Sequence, residues 1–329
     1  MSLGHRSRQA SLTCNALLAA LCVLAASCSP DGRTFIAKPG TKYDPDSGLP
    51  LEIISTADKA EMLLVKTGSF RRGDPAEVTR MTYVQAFYID KFEVTNERYQ
   101  RFVSARNWTP PSSTAEGAAL LRWANGKFPK GRANYPVVLV SFEDAAAFAE
   151  WAGKKLPAQR QWEYAARGPE ARQFPWGDSK PAPNECNTAD RLAGRELPTS
   201  GAWQSWYTEW MKRKPEERNA AALAPVGSFP KDVSPFGCVD MGGNVREWCV
   251  KNTEDASIRP LQSESERGRD VASGSCAACG GSWLRPAAEA QPWRCDNLDS
   301  APYYDVGFRC VISAGEPDIR KLAKPPATK

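Results

Sequence analysis

Hydrophobic and polar positions first form a regular pattern at Glu61, and the pattern predicts short strands followed by helices. Residues Glu61 to Val65 form a buried-strand pattern, and Tyr83 to Asp90 alternate loosely, which predicts a second strand. Thr95 is a predicted N-cap, and Tyr99 and Phe102 fall on one face of the helix that follows it. This part of the chain therefore combines strands and helices.

Two further helices carry clear end signals. Ser141 and Asp144 form a capping-box pattern ahead of an alanine-rich run, and Gly153 supplies the stop. Pro157 is predicted to occupy the first turn of the next helix, which ends at Gly168. Beyond Gly168 the chain consists mainly of turns and short strands rich in Trp, Gly and Pro. The whole pattern predicts a loop-rich α+β fold.

Four aromatic residues after Gly168 fall at helical spacing: Trp203, Trp206, Tyr207 and Trp210. Either this amphipathic helix lays its aromatic face onto the core, or its rings form an open platform for a sugar or a peptide. The spacing alone does not separate these two interpretations.

Charge and histidine content exclude several classes of function. Lys and Arg number 43 against 38 Asp and Glu, with no basic stripe, so nucleic-acid binding by phosphate neutralisation is not expected. The single histidine, His5, lies in the first few residues. Once that segment is removed, the chain offers no histidine for a Ser-His-Asp or Cys-His site, or for a His-ligated metal.

The N-terminus is predicted to be a secretory signal. Arg6 and Arg8 precede an unbroken apolar run from Ala16 to Ala26, which is shorter than the roughly 20 residues that a membrane-spanning helix needs. The run ends in Ala-Ala-Ser-Cys, which resembles a bacterial lipobox, so residues 1–27 are interpreted as a lipoprotein signal peptide and Cys28 as the lipidated first mature residue. Ordinary cleavage near the alanines is the alternative. Both interpretations predict export, and the lipid predicts a membrane-anchored protein of the cell envelope, on the periplasmic face of the outer membrane in a two-membrane cell.

The rest of the chain is predicted to form one large domain with two loose ends. Residues 28–60 are rich in Pro, Gly, Asp and Lys without a clear period, and are predicted to be a tether. Residues 61–312 are predicted to form the domain. Residues 313–329 are predicted to be a flexible tail, because their end is charged and contains proline.

Several phrases of the domain are recognisable when taken in order. They include Phe92-Glu93-Val94-Thr95-Asn96, Trp151-Ala152-Gly153-Lys154-Lys155-Leu156-Pro157, Trp162-Glu163-Tyr164-Ala165-Ala166-Arg167-Gly168, Asp240-Met241-Gly242-Gly243-Asn244-Val245-Arg246-Glu247-Trp248, Gly280-Gly281-Ser282-Trp283 and Gly307-Phe308-Arg309. Together these phrases resemble the formylglycine-generating enzyme (sulfatase-modifying factor) superfamily. The resemblance covers about residues 61–312 and implies a loop-rich variant of the C-type lectin fold.

The resemblance also locates two cofactor positions. Members that oxidise a substrate cysteine to formylglycine hold Cu(I) with two cysteines soon after Gly-Gly-Ser-Trp, and soft thiolates suit that ion. The matching positions here are Arg285 and Ala290, neither of which binds copper. A second catalytic branch uses a His-ligated iron, which a mature chain without histidine does not provide. Ser282 matches a substrate-contacting pocket residue, or is a turn serine beside two glycines, and Arg285 would suit an anionic ligand such as a carboxylate.

The cysteines leave several pairings open. After Cys28 the count is odd, which leaves at least one unpaired within the chain: Cys186, Cys238, Cys249, Cys276, Cys279, Cys295 and Cys310. Cys276 and Cys279 lie just before the glycine pair and are predicted to form a local disulfide in an exported protein. Pairing with distant cysteines is one alternative, and a displaced copper or redox site, with Cys276 and Cys279 as catalytic candidates, is another.

Two more cysteines match disulfide positions of relatives. Cys295 and Cys310 occupy such positions, but their partner positions correspond to Ala166 and Ala149 here. The same two bridges are therefore not expected.

The resemblance further implies structural calcium. Asn244 and Glu247 match side-chain ligands of one site, with a backbone carbonyl from Val245, and Asn187 matches a ligand of another site. Oxygen ligands of these kinds suit Ca²⁺. Asp240 and Asp190 could add charge, and a turn held by internal hydrogen bonds is the alternative interpretation.

The sequence therefore favours a lipid-anchored, exported, non-catalytic binding or assembly module with a protein or glycan ligand. The alternatives are a divergent formylglycine-generating oxidase, or another protein-maturing enzyme, and a lectin-like glycan binder. Reduced cysteines in the pocket would favour the oxidase, and a pocket without thiols would favour binding.

Overall fold

The chain is described by a computed structural model over residues 34–77, 79–112, 118, 121–251 and 276–324. The predicted signal peptide and its Cys28 lie outside the described residues. No helix in the described part is both long enough and apolar enough to cross a membrane.

Antiparallel strands from both ends of the domain share one sheet. Its order is β1-β2-β3-β6-β11, while β4 pairs with β5 and a further sheet has the order β10-β7-β8-β9. The strands are β1 Phe35–Ala37, β2 Glu52–Ser55, β3 Glu61–Val65, β4 Gly68–Arg72, β5 Arg80–Val84, β6 Phe87–Asp90, β7 Arg246–Val250, β8 Cys276–Cys279, β9 Cys295–Asp296, β10 Val306–Gly307 and β11 Val311–Ser313. The predicted strand over 61–65 is confirmed, and the predicted second strand is divided between β5 and β6 at Gln85 and Ala86.

Helices contribute many of the buried aromatic side chains, and strands and loops contribute the others. They are α1 Asn96–Arg106, α2 Phe142–Trp151, α3 Gln159–Arg167, α4 Ala189–Ala193, α5 Ser200–Lys212, α6 Pro215–Ala222 and α7 Pro317–Arg320, with a 3₁₀ turn at Ala287–Glu289. Thr95 caps α1, and Ser141 forms the predicted capping box with Asp144. Gly168 ends α3 as predicted, but Pro157 precedes this helix, whose N-cap is Ala158.

One core cluster joins α1 and α2 to the further sheet. Tyr99 and Phe102 of α1 pack against Phe148 of α2, and the rings of Tyr99 and Phe148 are stacked 5.7 Å apart. Phe308 packs edge-on against both Tyr99 and Phe148. Trp248 of β7 is fully buried in the same cluster. The apolar face predicted for α1 therefore meets both α2 and the strand that leads to the candidate site.

The aromatic helix predicted around Trp206 packs onto the core. Trp206 and Trp210 are buried, and Trp203 donates its indole N–H to the carbonyl of Leu284 at 2.8 Å. Trp203 and Tyr207 stack on each other and are partly buried. The interpretation as an amphipathic core helix therefore holds, and these rings do not form an open platform.

The predicted ends of the domain need correction. The tether predicted over 28–60 contains β1 and β2, and Phe35 and Ile53 are buried with Met62 in one core cluster. Each strand has only three or four residues, too few for an alternating pattern to be visible. The tail predicted from 313 contains the end of β11 and α7, and Ile319 is fully buried in the same cluster.

Candidate functional site

A glycine-paired loop between β8 and the 3₁₀ turn holds the candidate site in place. Gly280 has φ of +89°, and a Cβ there would lie 2.9 Å from the Trp162 ring. A Cβ on Gly281 would lie 2.3 Å from the carbonyl oxygen of Gly242. Both positions therefore require glycine, because a side chain would push this loop off the Gly242 segment.

Ser282, which follows this glycine pair, is tied to an internal ion pair. Its hydroxyl donates to Asp305 Oδ2 at 2.9 Å, and the residue is fully buried. Arg246 of β7 donates to both oxygens of Asp305, at 2.8 and 3.1 Å. Leu284 N–H donates to the Ser282 hydroxyl at 3.3 Å. The described contacts of Ser282 are those of a structural turn, and Ser282 does not line the neighbouring cavity.

That cavity has a volume of about 350 Å³ and opens beside the glycine pair. Its charged lining is three arginines and two acids: Arg246, Arg285, Arg294, Glu289 and Asp296. Trp293 also lines the cavity, and its buried indole N–H has no hydrogen-bond partner. The ring of Trp293 lies 4.6 Å from the guanidinium of Arg167. Guanidinium groups together with an unpartnered indole donor suit an anionic group.

Arg285 is the partly exposed cation of this pocket. Its guanidinium contacts Asp296 Oδ2 at 3.1 Å and Glu289 Oε2 at 3.4 Å. Asp296 Oδ2 also accepts from Arg246, at 2.8 Å. One carboxylate thus links the buried Arg246 to the accessible Arg285. A cavity thus opens at Arg285, and Ser282 does not line it.

The copper positions inferred from the resemblance hold no thiol in the structure. Arg285 is occupied by its ion pairs, and Ala290 is fully buried against Gly281. A Cu(I) ion needs soft ligands, and a guanidinium and a methyl group supply none. These residues therefore do not fit copper.

The local disulfide predicted between Cys276 and Cys279 is wrong. Cys279 is bonded to Cys295, with their Cα atoms 4.1 Å apart. Both ends of the predicted bridge lie on strand β8, where a separation of three residues corresponds to roughly 10 Å and opposite faces. Cys279 and Cys295 instead face each other in the register of β8 and β9. Pairing of both with distant cysteines, one of the stated alternatives, holds for Cys279 only, because Cys276 is a free thiol.

The other cysteines within the described residues are buried thiols. Cys276 lies in the aromatic core, with its Sγ 3.3 Å from the carbonyl of Leu298, and burial raises its pKa. Cys310 is also free and buried, and burial raises its pKa well above the usual value. Cys295 lines the pocket, but only as part of the disulfide. The candidate catalytic pair Cys276 and Cys279 is therefore not a pair of thiols facing one cavity.

The predicted calcium ligands are mostly engaged by donors of the protein itself. The Asn187 amide donates to Asn244 Oδ1 at 2.8 Å, and Asn187 Oδ1 accepts from Arg191 at 2.8 Å. Glu247 accepts two hydrogen bonds from Arg309, at 2.7 and 2.8 Å, and one from the Trp162 indole at 2.8 Å. The described residues contain no group of three or more His, Cys, Asp or Glu arranged to hold a metal. Asn187 and Asn244 therefore do not fit as open calcium ligands.

Sequence reasoning missed the acidic cluster around Arg309. Four buried carboxyl groups lie close enough to the Arg309 guanidinium to interact with it electrostatically: Glu93, Asp232, Asp240 and Glu247. Glu93 accepts from the Asn244 amide at 3.0 Å, and Asp232 accepts from Gly242 N–H at 2.9 Å. Burial raises the pKa of Asp240 to about 6, and its Oδ1 has no hydrogen-bond partner. The free Oδ1 of Asp240 is an oxygen donor of the kind that Ca²⁺ takes, but the described residues around it form no group of three or more acids arranged to hold a metal.

A loop-rich α+β domain with this glycine-paired loop is of the formylglycine-generating-enzyme type. The chain belongs to this family, because residues 52–314 match the Sulfatase-modifying factor enzyme 1-like domain. The formylglycine-generating enzyme of Bos taurus is 26% identical over 76% of this chain and 74% of its own length. The inactive C-alpha-formylglycine-generating enzyme 2 of Bos taurus is 27% identical over 82% of this chain and 94% of its own length. Some relatives of this chain are thus named as formylglycine-generating enzymes, and others are named as inactive forms.

Solved structures agree with the predicted fold. PvdO from Pseudomonas aeruginosa superposes with a TM-score of 0.54 at 21% identity, over 78% of this chain and 95% of that one. Treponema denticola variable protein 1 superposes with a TM-score of 0.52 at 17% identity, over 77% of this chain and 95% of that one. At these identities the likeness concerns the fold alone.

Proposed function

We propose that this protein is a non-catalytic, exported, lipid-anchored member of its family whose pocket binds an anionic ligand. The observation that carries the proposal is the pair of side chains at the inferred copper positions. Arg285 is a cation held in ion pairs, and Ala290 is a buried methyl group. Oxidation of a substrate thiol to an aldehyde needs a redox-active cofactor, which side chains alone do not replace.

The ligand class follows from the pocket lining. Arg246 is balanced by the buried Asp305, so Arg285 and Arg294 face the two acids Glu289 and Asp296, and the described hydrogen bond of the exposed Arg294 goes to the uncharged Gln291. An arginine fork binds a carboxylate through two parallel hydrogen bonds. The unpartnered indole N–H of Trp293 adds one donor. A protein or peptide that presents a carboxylate is therefore the proposed partner.

The competing function is a divergent oxidase. The curated relatives named formylglycine-generating enzyme favour it, among them that of Streptomyces coelicolor at 29% identity. It would require Cys276 and Cys279 to act as thiols. Cys279 is bonded to Cys295, and Cys276 is buried in the core beside Leu298. These contacts support the binding function over the oxidase.

The export and anchoring parts of the proposal rest on the N-terminal segment. Its basic start, its short apolar run and Cys28 give the pattern of a lipoprotein signal. They support a domain on the outer side of a membrane, where a disulfide such as Cys279–Cys295 persists. A structural calcium ion beside Asp240 completes the proposal, with Asn187 and Asn244 acting as hydrogen-bonding residues.

Two assays test the function. Purified protein, with and without copper, should convert no cysteine of a sulfatase-type peptide to an aldehyde. Copper-dependent aldehyde in excess of the enzyme would overturn the proposal, and its loss in Cys276→Ser or Cys279→Ser would establish the displaced-pair oxidase.

Binding is tested by calorimetry with succinate against the uncharged succinamide. Only the dianion should bind, and Arg285→Ala should weaken it at least tenfold. Arg106→Ala, at an exposed helix end outside the pocket, is the matched control. Equal binding of both compounds, or an unchanged affinity in Arg285→Ala, would contradict the anion site.

A further inference from the structure

The outer face of the β4–β5 hairpin exposes two large hydrophobic side chains. Met81 and Tyr83 of β5 are each 62% exposed, and in the described part of the chain the next large hydrophobic residue is Met211, at 38%. Met81 and Tyr83 are two positions apart and therefore lie on the same face of the strand. Exposed apolar side chains that lie together mark a contact surface for a protein or a membrane more often than single ones do.

The hairpin that carries this pair is amphipathic. Ser69 and Arg71 of β4 are the cross-strand partners of Tyr83 and Met81, and both are exposed. Phe70, on the opposite face of β4, is buried in the core. The outer face therefore mixes apolar, aromatic and polar side chains, a mixture that suits the headgroup layer of a lipid bilayer better than its hydrocarbon centre.

The N-terminal end of the described chain is fixed beside this face. Thr34 donates its hydroxyl to Asp318 at 3.2 Å, and its carbonyl accepts from Thr56 N–H at 3.0 Å. Thr34 also lines a groove of about 1160 Å³ together with Met81 and Tyr83. The chain therefore enters the fold within the width of one groove from the exposed pair.

The proposed lipid anchor is close to this entry point along the chain. Cys28 precedes Thr34 by six positions, and six residues span at most about 20 Å even when fully extended. A folded domain of about 300 residues is roughly 45–50 Å across. A tether shorter than half of that width brings the surface around Thr34 to the lipid and keeps the far side of the domain away from it. The exposed pair thus lies on the side of the domain that the anchor holds against the membrane.

We propose that the outer face of the β4–β5 hairpin lies on the membrane that holds the anchor, with Met81 and Tyr83 inserted among the lipid headgroups. The inference rests on the proposed lipid anchor at Cys28 and adds the surface of the domain that meets the lipid. Aromatic side chains are favoured in the headgroup layer, and the tether keeps the hairpin at a high effective concentration beside it. A contact made by two side chains therefore suffices to orient the domain.

The contact depends on insertion rather than on anionic lipid. The exposed acids Glu150 and Asp318 line the same groove as the exposed Lys155. Because side chains of both signs lie beside the hairpin, vesicles of the zwitterionic lipid phosphatidylcholine should bind this face as well as anionic vesicles do.

The test anchors the full mature chain, residues 28–329, by chemical coupling. Cys28 is coupled to a maleimide lipid in phosphatidylcholine vesicles, and the free cysteines of the described residues are buried away from the reagent. Mass spectrometry measures how fast hydroxyl radicals oxidise Met81 and Tyr83. Compared with a chain capped at Cys28 and mixed with the same vesicles, both rates should fall roughly fivefold or more, because oxidation follows exposure. Met211, which does not line the groove, should be oxidised equally fast in both samples.

Single lysine variants separate insertion from mere closeness to the vesicle. Tyr83→Lys keeps Met81 as the reporter, and Met81→Lys keeps Tyr83. Both replace an exposed side chain, so the core is unchanged. A lysine opposes insertion, so the remaining reporter should regain most of the oxidation rate of the capped chain. Met211→Lys is the matched control and should leave the protection of Met81 and Tyr83 unchanged.

Several outcomes would overturn the proposal. Equal oxidation of Met81 in the coupled and capped chains, equal protection of Met211, or protection that survives both lysine variants would remove the membrane face. Protection that requires anionic lipid would contradict insertion, and protection at high protein concentration without vesicles would assign the face to a second copy of the chain. An unacylated native N-terminus would refute the anchor itself, whereas unprotected Met81 on the coupled vesicles would refute the docking face alone.

Discussion

Glu247 and Arg309 form a two-pronged ion pair in the interior, with hydrogen bonds of 2.7 and 2.8 Å and no exposure of either side chain. Arg309 also donates to the backbone carbonyls of Asp90, Lys91 and Val239. The pair thus connects β7, which reaches the ligand pocket through Arg246, with β6 of the main sheet and with the acidic cluster. We therefore expect this ion pair to stabilise the position of β7, and with it the pocket residue Arg246.

Removal of this cation should destabilise the whole domain. Arg309→Leu leaves Glu93, Asp232, Asp240 and Glu247 without their shared counter-charge, and breaking a buried pair costs about 3–5 kcal/mol. Urea unfolding of Arg309→Leu measures the loss. Arg106→Leu is the matched control at an exposed site and should change the free energy of unfolding by less than about 0.5 kcal/mol. Equal stability of both variants would show that the cluster is neutral without Arg309.

Acid should weaken a second buried network. Lys154 contacts Asp58 at 2.9 Å and Asp90 at 3.0 Å, and Arg98 contacts both acids at 2.6 Å. Burial alone would raise the pKa of Asp58, but Lys154 and Arg98 hold it well below its usual range. A carboxyl whose pKa is lower in the folded state stabilises the fold above the unfolded pKa of about 3.9, and this contribution is lost as the pH falls toward the folded pKa.

The measurement is urea stability from pH 7 down to pH 2 for the wild-type chain and Asp58→Asn. The difference between the two proteins should be largest near pH 7 and should shrink below about pH 4. The exposed Asp46→Asn should follow the wild-type curve. A constant difference in unfolding free energy across this range would mean that the pKa of Asp58 is the same in the folded and unfolded states.

Local signals predicted the parts of the fold that depend on neighbouring residues. Thr95 and Ser141 were identifiable as caps because a cap bonds within its own first turn. The Cys279–Cys295 bridge was not, because it depends on the register of β8 against β9 across residues that sequence patterns do not relate. The Glu247–Arg309 pair spans 62 positions and had no local signal.

The candidate site also combines features that local sequence signals predicted with features that depend on contacts the sequence pattern does not show. The order of the motifs led to the prediction of a ligand pocket at Arg285, and a cavity opens there. The ligand roles inferred from the resemblance require free oxygens, but Glu247 accepts from Arg309, 62 positions away, and Asn187 accepts from Arg191, four positions away. Neither contact is visible in the motif pattern. β1 and β2 were missed because each has only three or four residues, and their apolar residues Phe35 and Ile53 are buried in a cluster with residues distant along the chain.

The disulfide should stabilise the pocket wall. Cys279 and Cys295 are 16 residues apart, and a bridge that closes a loop of this length contributes about 3 kcal/mol in the chain-entropy model. Cys279→Ala/Cys295→Ala should lower the free energy of unfolding by about that amount and weaken binding of succinate. Cys186→Ala, at a free buried thiol, is the control, and it should leave succinate affinity unchanged. Unchanged stability of the double variant would show that the bridge adds nothing to the fold.

Lipidation should depend on Cys28. Cys28→Ser removes the thiol that would carry the lipid, so the protein should leave the membrane fraction and its N-terminus should lose acyl mass. Cys22→Ser, within the same apolar run, is the control and should remain membrane-bound. Mass spectrometry of the mature N-terminus checks both. A Cys28→Ser protein that stays in membranes, together with an unacylated native N-terminus, would refute the anchor.

Calcium should stabilise the domain through Asp240. A ligand that binds only the folded state, at a hundred times its Kd, adds about 2.7 kcal/mol, which corresponds to roughly 5–10 °C for a chain of this size. EDTA should therefore lower the melting temperature by about that amount, and Asp240→Asn should remove most of the sensitivity because it weakens the carboxylate with the free oxygen. Asn187→Ala should retain it, since Asn187 Oδ1 is occupied by Arg191. If the sensitivity of the melting temperature to EDTA disappeared in Asn187→Ala but persisted in Asp240→Asn, the calcium ion would be assigned to the ligands inferred from the resemblance. If EDTA left the melting temperature of the wild-type chain unchanged, calcium binding at both places would be excluded.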